Sequence, residues 1–285
     1  MFKYSFDALV YHGQEDVADS IKRLAKYGYD AIELVGEPND YNTKEVNSLL
    51  NNHGLNVSSI CSIYNAQRDL AHPEASKRRS AVDYVKSVAD MASEVNCPVI
   101  IVTPTANGKT SPLANREDER KWAVEGIREA AEYARKQNVK LCLEAWNRYE
   151  TYWLNRLDQA LDLNTEVGID NVGIMGDTFH MNIEEENIAD AIRNSGKELI
   201  HIHFADSNRA APGIGHIDFL PALKALKEID YKGHITFEIL PASADPFSVM
   251  RQGGGSEFFD EYTKKSIDYI KGLESKLYKE VELKR

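Results

Sequence analysis

Four ionisable residues recur along the chain: Glu144, Asp177, His203 and Glu238, separated by 33, 26 and 35 residues. Each closes a short apolar run, in LCLE, VGIMGD, LIHIH and HITFE. Side chains alternate along a strand, so an apolar outer face leaves these four directed to the other side. Three carboxylates gathered there repel one another and lose hydration, and they would take up protons unless a cation joined them. With one imidazole they form an oxygen-rich donor set for a single divalent ion. Mn²⁺ is favoured, and Mg²⁺, Co²⁺ or Zn²⁺ also suit it. Singly, each residue reads as a buried salt bridge or a rim charge. On four successive strands they read together as a metal site.

Four protein donors leave room in an octahedral shell for a substrate with adjacent carbonyl and hydroxyl oxygens. The ion would act as a Lewis acid and stabilise an enediolate, making the neighbouring C–H acidic enough for a carboxylate to remove its proton. Glu144 and Glu238 lie three strands apart and approach such a substrate from different sides. One base removing a proton and another returning it to the opposite face is epimerisation. Aldose–ketose isomerisation uses the same chemistry on one face.

The elements that must position these residues alternate strictly. Strands are expected at residues 2–6, 31–34, 57–63, 98–102, 140–144, 172–176, 199–205 and 234–239. Helices are expected at 15–27, 43–53, 75–96, 116–138, 157–168, 184–194, 219–229 and 257–273. Eight strand–helix units imply parallel strands with crossover helices, and in 285 residues they predict a single-domain (β/α)₈ TIM barrel. A doubly wound open sheet is the runner-up. The barrel is expected over residues 1–275, with 276–285 an exposed charged tail. Ile32, Leu34, Leu141, Leu143, Val172, Ile174, Ile235 and Phe237 should face the helices. Glu33, Cys142, Glu144, Met175, Asp177, Thr236 and Glu238 should face the axis. The ionisable ends fall at the C-terminal end of the strands, where barrel enzymes carry their sites.

The net charge of −11 argues against a nucleic-acid partner. No apolar run is long enough to span a membrane, and residues 1–13 lack the pattern of a signal peptide. Three cysteines without CxxC spacing read as reduced thiols, so a cytoplasmic location is expected. A homo-oligomer, dimer or tetramer, is expected too. Trp146, Tyr149, Tyr152 and Trp153 crowd the loop after the fifth strand, to stack on a sugar ring or to pack a dimer contact. Arg209 either grips substrate oxygens with its guanidinium fork or pairs with Asp206. His201 is an inward core histidine or a support for a ligand. Glu33 either reaches the pocket or makes a buried structural hydrogen bond. His216 and Asp218 read first as loop structure. The glycine-rich stretch 251–256 is a mobile loop or an anion-binding one; phosphate there would shift the substrate to sugar phosphates.

The segments LEAWNRYET (143–151), GDTFHMNIEE (176–185) and HIHFADSNRAAPGIGHIDF (201–219) resemble the xylose-isomerase-like barrel superfamily. The likeness is greatest to ketose 3-epimerases of the tagatose/psicose type. It extends to DAIEL at the second strand, DLAHPE at 69–74 and FEI at the eighth. The resemblance implies Glu144, Asp177, His203 and Glu238 as metal ligands, with the two glutamates also moving protons. It implies substrate contacts from His180, in the loop expected to open the sixth helix, and from Arg209 and Glu150. The expected function is C3 epimerisation of a ketose. Alternatives on the same barrel are an aldose–ketose or hydroxypyruvate-type isomerase, a sugar-phosphate 3-epimerase and a keto-inositol dehydratase. An abasic-site endonuclease would need histidines on the third and fourth strands, which read VSSICSI and PVIIVT. A non-catalytic sugar-binding barrel would not need the paired glutamates.

Overall fold

Short apolar strands alternate with helices, and most of the helices carry a capping side chain at their start. Asp16, Asn42, Asn115, Asn187 and Asp218 each accept a hydrogen bond from a backbone N–H of the following first turn. Gly28, Gly54 and Gly168 end helices in the left-handed conformation that a side chain would resist. In this computed structural model, which describes residues 1–241, 249 and 259–282, the strands are β1 Lys3–Asp7, β2 Ala31–Val35, β3 Asn56–Cys61, β4 Val99–Val102, β5 Lys140–Glu144, β6 Val172–Asp177, β7 Leu199–Phe204 and β8 His234–Phe237. They pair in parallel in chain order, and β1 closes the ring against β8. The helices are α1 Val17–Tyr27, α2 Thr43–His53, α3 Ala75–Glu94, α4 Arg116–Lys136, α5 Leu157–Val167, α6 Thr178–Glu184, α7 Ile188–Ser195, α8 Phe219–Glu228 and α9 Phe259–Glu282.

The division into inward and outward residues follows expectation. Ile32, Leu34, Leu141, Leu143, Val172, Ile174, Ile235 and Phe237 join the large core between strands and helices. A separate small cluster of Cys61, Val99, Ile101, Cys142 and Met175 fills part of the barrel interior. Its other side is polar, with Ser5, Ser58, Ser59, Glu33 and His201 in mutual contact. All three cysteines are free and buried. No helix among the described residues is long and apolar enough to cross a membrane.

Three expectations need correction. The helix expected at 184–194 begins only at Ile188, where Asn187 caps α7, and a short helix that was not expected, α6, precedes it under a cap from Asp177. His180 therefore lies inside a short helix and not in a loop. Strand β8 stops at Phe237, so Glu238 follows the strand. The boundary at residue 275 is not a structural break: α9 runs to Glu282 and buries Leu277, so residues 276–282 extend the last helix rather than trailing as a tail. The glycine-rich stretch 251–256 lies outside the described residues.

Helix α9 is tied to the first strand by one buried carboxylate. Glu274 accepts from Phe2 N at 2.7 Å and from the Tyr4 hydroxyl at 2.8 Å. Glu274→Ala strands two donors, one of them buried, and should cost about 2–3 kcal/mol, read as a lower urea midpoint with unchanged slope. An unchanged midpoint would show that the apolar face of α9 alone secures it.

Candidate active site at the barrel mouth

Four strands deliver the predicted residues to one place. Glu144 ends β5, Asp177 ends β6, His203 is the penultimate residue of β7, and Glu238 follows β8. The pairing sets Asp177 opposite His203 and Glu144 opposite Met175. Glu144, Asp177 and His203 are buried, and each presents one donor atom within 4.8 Å of the others. Glu238 stands against this trio, its Oε2 3.6 Å from His203 Nδ1.

The three residues expected to touch substrate converge on the same rim. Arg209 reaches Glu238 Oε2 at 3.2 Å through Nη2 and Glu150 Oε1 at 3.3 Å through Nη1. It does not pair with Asp206. That carboxylate accepts from the backbone N–H groups of Ser207, Gly213 and Ile217 and shapes the loop from within. Arg209 has φ 60, in the left-handed region that a side chain disfavours, and the surrounding turn holds it there. Its N–H donates to Asp206 O, and its carbonyl accepts from Leu240 N. His180 Nδ1 accepts from Asn147 Nδ2 at 2.7 Å, so a neutral ring carries its proton on Nε2. That nitrogen lies 3.7 Å from Asp177 Oδ2, is buried and has no hydrogen-bond partner.

A cavity of about 390 Å³ opens beside these groups. Glu144, Glu150, Arg209 and Glu238 line one part; Leu9, Cys61, Ser62, Ile63, Tyr64, Asn107 and Trp146 line the rest. Of the four crowded aromatics, Trp146 alone lines it; Tyr149 is exposed, and Tyr152 lies within cation–π range of Lys109 and Arg116. Two asparagines were not foreseen from the sequence. Asn147 and Asn107 donate to the two oxygens of Glu150 at 3.0 and 3.1 Å. Asn147 sits within the LEAWNRYET segment, but nothing in its residue type distinguishes it from an ordinary loop amide. Asn107 is placed by a clasp no pattern reveals. Lys109, buried against Asp69 at 3.1 Å and Glu119 at 3.5 Å, bridges to Thr151 and joins the β4–α4 loop to the β5–α5 loop.

The electrostatics fit a divalent cation. Burial pushes the Glu144 carboxyl up to about 8; His203 opposes this and Glu238 adds to it. Burial also raises Asp177 well above the usual carboxylate range, and Glu238 adds to it. Burial would raise Glu238 too, but Arg209 and His203 hold it well below that range. Burial would lower His203, yet Glu33 and Glu238 keep its pKa well above the usual value. Asp177 and His203 thus hold protons where a cation would supply the missing charge. Asp177 Oδ2 and His203 Nδ1 are buried without hydrogen-bond partners, an arrangement that costs stability unless a ligand satisfies them. Oxygen and imidazole donors of this kind suit a hard or borderline divalent ion.

Known proteins share this architecture. A family model described as xylose isomerase-like TIM barrel matches residues 21–270. A D-psicose 3-epimerase of Ruminiclostridium cellulolyticum is 30% identical over 227 residues, covering 76% of each chain. A 3-dehydro-D-guloside 4-epimerase of Escherichia coli is 28% identical, covering 83% of this chain and 92% of its own. The crystal structure of a D-allulose 3-epimerase from Methylomonas sp. in complex with D-allulose superposes with a TM-score of 0.85 at 27% identity, over 95% of this chain and 96% of that one.

Binding of a divalent ion should therefore expel protons. At pH 7, calorimetric titration of the metal-free protein with Mn²⁺ in buffers of different ionisation enthalpy should show more than one proton released per ion. Asp177 and His203 should supply these protons, and the release should shrink as pH rises toward their raised pKa values. Raised pKa values at Glu144, Asp177 and His203 stabilise the metal-free fold at low pH, and that gain is lost as pH rises through them. Its melting temperature should fall between about pH 5 and pH 8, and Mn²⁺ should reverse the fall. Titration heats that do not vary with buffer would contradict these protonation states.

Proposed function

The chain belongs to the xylose isomerase-like TIM barrel family, and we propose that within it the protein is a metal-dependent ketose 3-epimerase. One observation carries this reading: two buried glutamates, Glu144 and Glu238, border a single cavity in environments that push their pKa values apart. Carboxyl groups separated in this way divide into an acid and a base. The 3-epimerase relatives support the choice of C3.

Glu144, Asp177, His203 and Glu238 would hold one divalent ion, with Mn²⁺ the first candidate. When bound, it supplies Lewis-acid polarisation of the carbonyl and neighbouring hydroxyl oxygens of the sugar. The chain's own residues do the rest. Ionised Glu238 removes the C3 proton from one face, and protonated Glu144 returns a proton to the other. In the reverse reaction the roles exchange, and both carboxyls reset by exchange with solvent. His180 offers its Nε2–H to a sugar oxygen near the reacting carbons. Arg209 shares its fork between Glu238 and substrate oxygen, and Glu150 accepts a sugar hydroxyl while Asn107 and Asn147 fix its position. The cavity's far wall, from Leu9, Ile63, Tyr64 and Trp146, suits the carbon chain of a free sugar.

Glu144→Gln and Glu238→Gln should each lower kcat by about 10²–10⁴-fold and abolish incorporation of deuterium at C3 from deuterated water, followed by NMR. Normal turnover in either variant would end the two-base scheme. A panel of free ketoses, ketose phosphates, a 3-keto glycoside and inosose, read by NMR in deuterated water, tests the substrate class. Deuterium should enter C3 of free ketoses fastest. Faster turnover of a phosphate, aldose formation, exchange at C4 of the glycoside or loss of water from inosose would each assign a different reaction.

A further inference from the structure

Glu33 is wholly buried inside the barrel, is not among the residues that line the cavity, and has no task in the proposed reaction. Its two oxygens reach two different histidines of β7. Oε1 lies 2.9 Å from His203 Nε2, and Oε2 lies 2.8 Å from His201 Nε2. The Ser59 hydroxyl also donates to Oε2, and a line of hydroxyls continues from Ser59 to Ser58 at 2.9 Å and to Ser5 at 2.7 Å. The carboxylate is thus locked from below while one oxygen remains for His203. On the other side of the same ring, Nδ1 is 3.6 Å from Glu238 Oε2 and has no hydrogen-bond partner.

We infer that Glu33 is a positioning residue for the metal site: it holds His203 by Nε2, fixes the Nε2–H tautomer and so makes Nδ1 the ligating atom. An imidazole has two nitrogens, and the one bonded to a carboxylate keeps its proton while the other is freed as a donor. The 2.9 Å contact is short but imperfectly aligned for a hydrogen bond, because Nε2 meets no partner of good angle. A small rotation of the ring closes it as Nδ1 engages an ion. His201 plays the matching part on the far oxygen and keeps the carboxylate from swinging toward the cavity. Glu33, His201 and His203 also satisfy the spacing of a second metal site. His201 and the Ser59 hydroxyl both already bond Oε2, which leaves only Oε1 for His203, so these residues support the rim site.

The inference rests on the metal reading of the rim and is independent of the sugar. Calorimetry with Mn²⁺ alone tests it. Glu33→Ala should weaken Mn²⁺ binding about 10–100-fold, and Glu33→Gln, which keeps one acceptor for two imidazoles, should lie between it and wild type. At saturating Mn²⁺ the KM for a ketose should stay within about twofold of wild type, because Glu33 touches no substrate. A merely structural role would not grade metal affinity in this order. Should the variants fail to fold, long-range ¹H–¹⁵N spectra of the wild-type protein loaded with Mg²⁺ decide the matter, with His203 expected as the Nε2–H tautomer. Wild-type affinity in folded Glu33→Ala, an Nδ1–H tautomer, or two ions bound per chain would overturn the assignment. A wild-type protein that binds no ion at all would instead remove the metal reading itself, and this inference with it.

Discussion

Burial of like charge at the barrel mouth is the constraint on which the rest depends. Glu33, Glu144, Asp177 and Glu238 all lie out of solvent within one end of the barrel, with Asp7 beside them. Ionised carboxylates cannot be left dry and unpaired, because the desolvation penalty exceeds what a typical fold retains as net stability. The chain answers the problem differently at each position. Glu33 is matched by two imidazoles, which hold it down to about 2 despite burial. Glu238 is matched by Arg209 and His203. Glu144 and Asp177 have no such partner and rise instead. The pattern leaves one carboxylate charged and its neighbour protonated across the same cavity, which is what a pair exchanging acid and base roles requires.

The loops maintain this balance because their own polar groups are satisfied elsewhere. Asp206 spends its carboxylate on three backbone N–H groups of the β7–α8 loop, which leaves Arg209 free to turn inward. Gly215 packs so closely on Asp206 that a Cβ there would lie 2.2 Å from Oδ1, so this loop is built around the carboxylate rather than closed over it. Lys109 pairs with Asp69 and Glu119 beneath the β4–α4 loop and donates to Ala71 O, which anchors the loop that carries Asn107 to Glu150. Rigid strands fix the proposed metal ligands, and loops pinned by buried ion pairs fix the groups proposed to meet the sugar.

The fold was legible because the barrel strands show themselves by the repeat length and, in the last four, by the ionisable residue closing each apolar run. The residues proposed to hold the metal follow the same pattern, and the barrel brings them together. What was not legible depends on geometry that residue type does not encode. His180 reads as a loop residue until one sees that Asp177, already assigned to the site, also caps α6 and turns the chain into a helix at once. Arg209 had two chemically sensible partners, and only the left-handed turn at its own Cα selects Glu238 and Glu150 over Asp206. Asn107 enters through a bridge between two loops far apart in the chain. Glu33 was visible as an inward carboxylate, yet its use depends on which nitrogen of His203 it meets.

Arg209 also links binding to chemistry in a way no single contact does. Its guanidinium spans Glu238, proposed to move a proton, and Glu150, proposed to grip a hydroxyl. A substrate oxygen that draws on one arm of the fork weakens the hold on the carboxylate at that arm. Glu150 can release Arg209 at little cost, because Asn107 and Asn147 already satisfy both its oxygens. Glu238 has no comparable reserve beyond His203. On the proposed reaction, an entering hydroxyl would draw the arginine from Glu150 first and leave Glu238 the cation that holds it ionised. The asymmetry of those two carboxylates, set by two asparagines, keeps the base charged while the sugar is being bound.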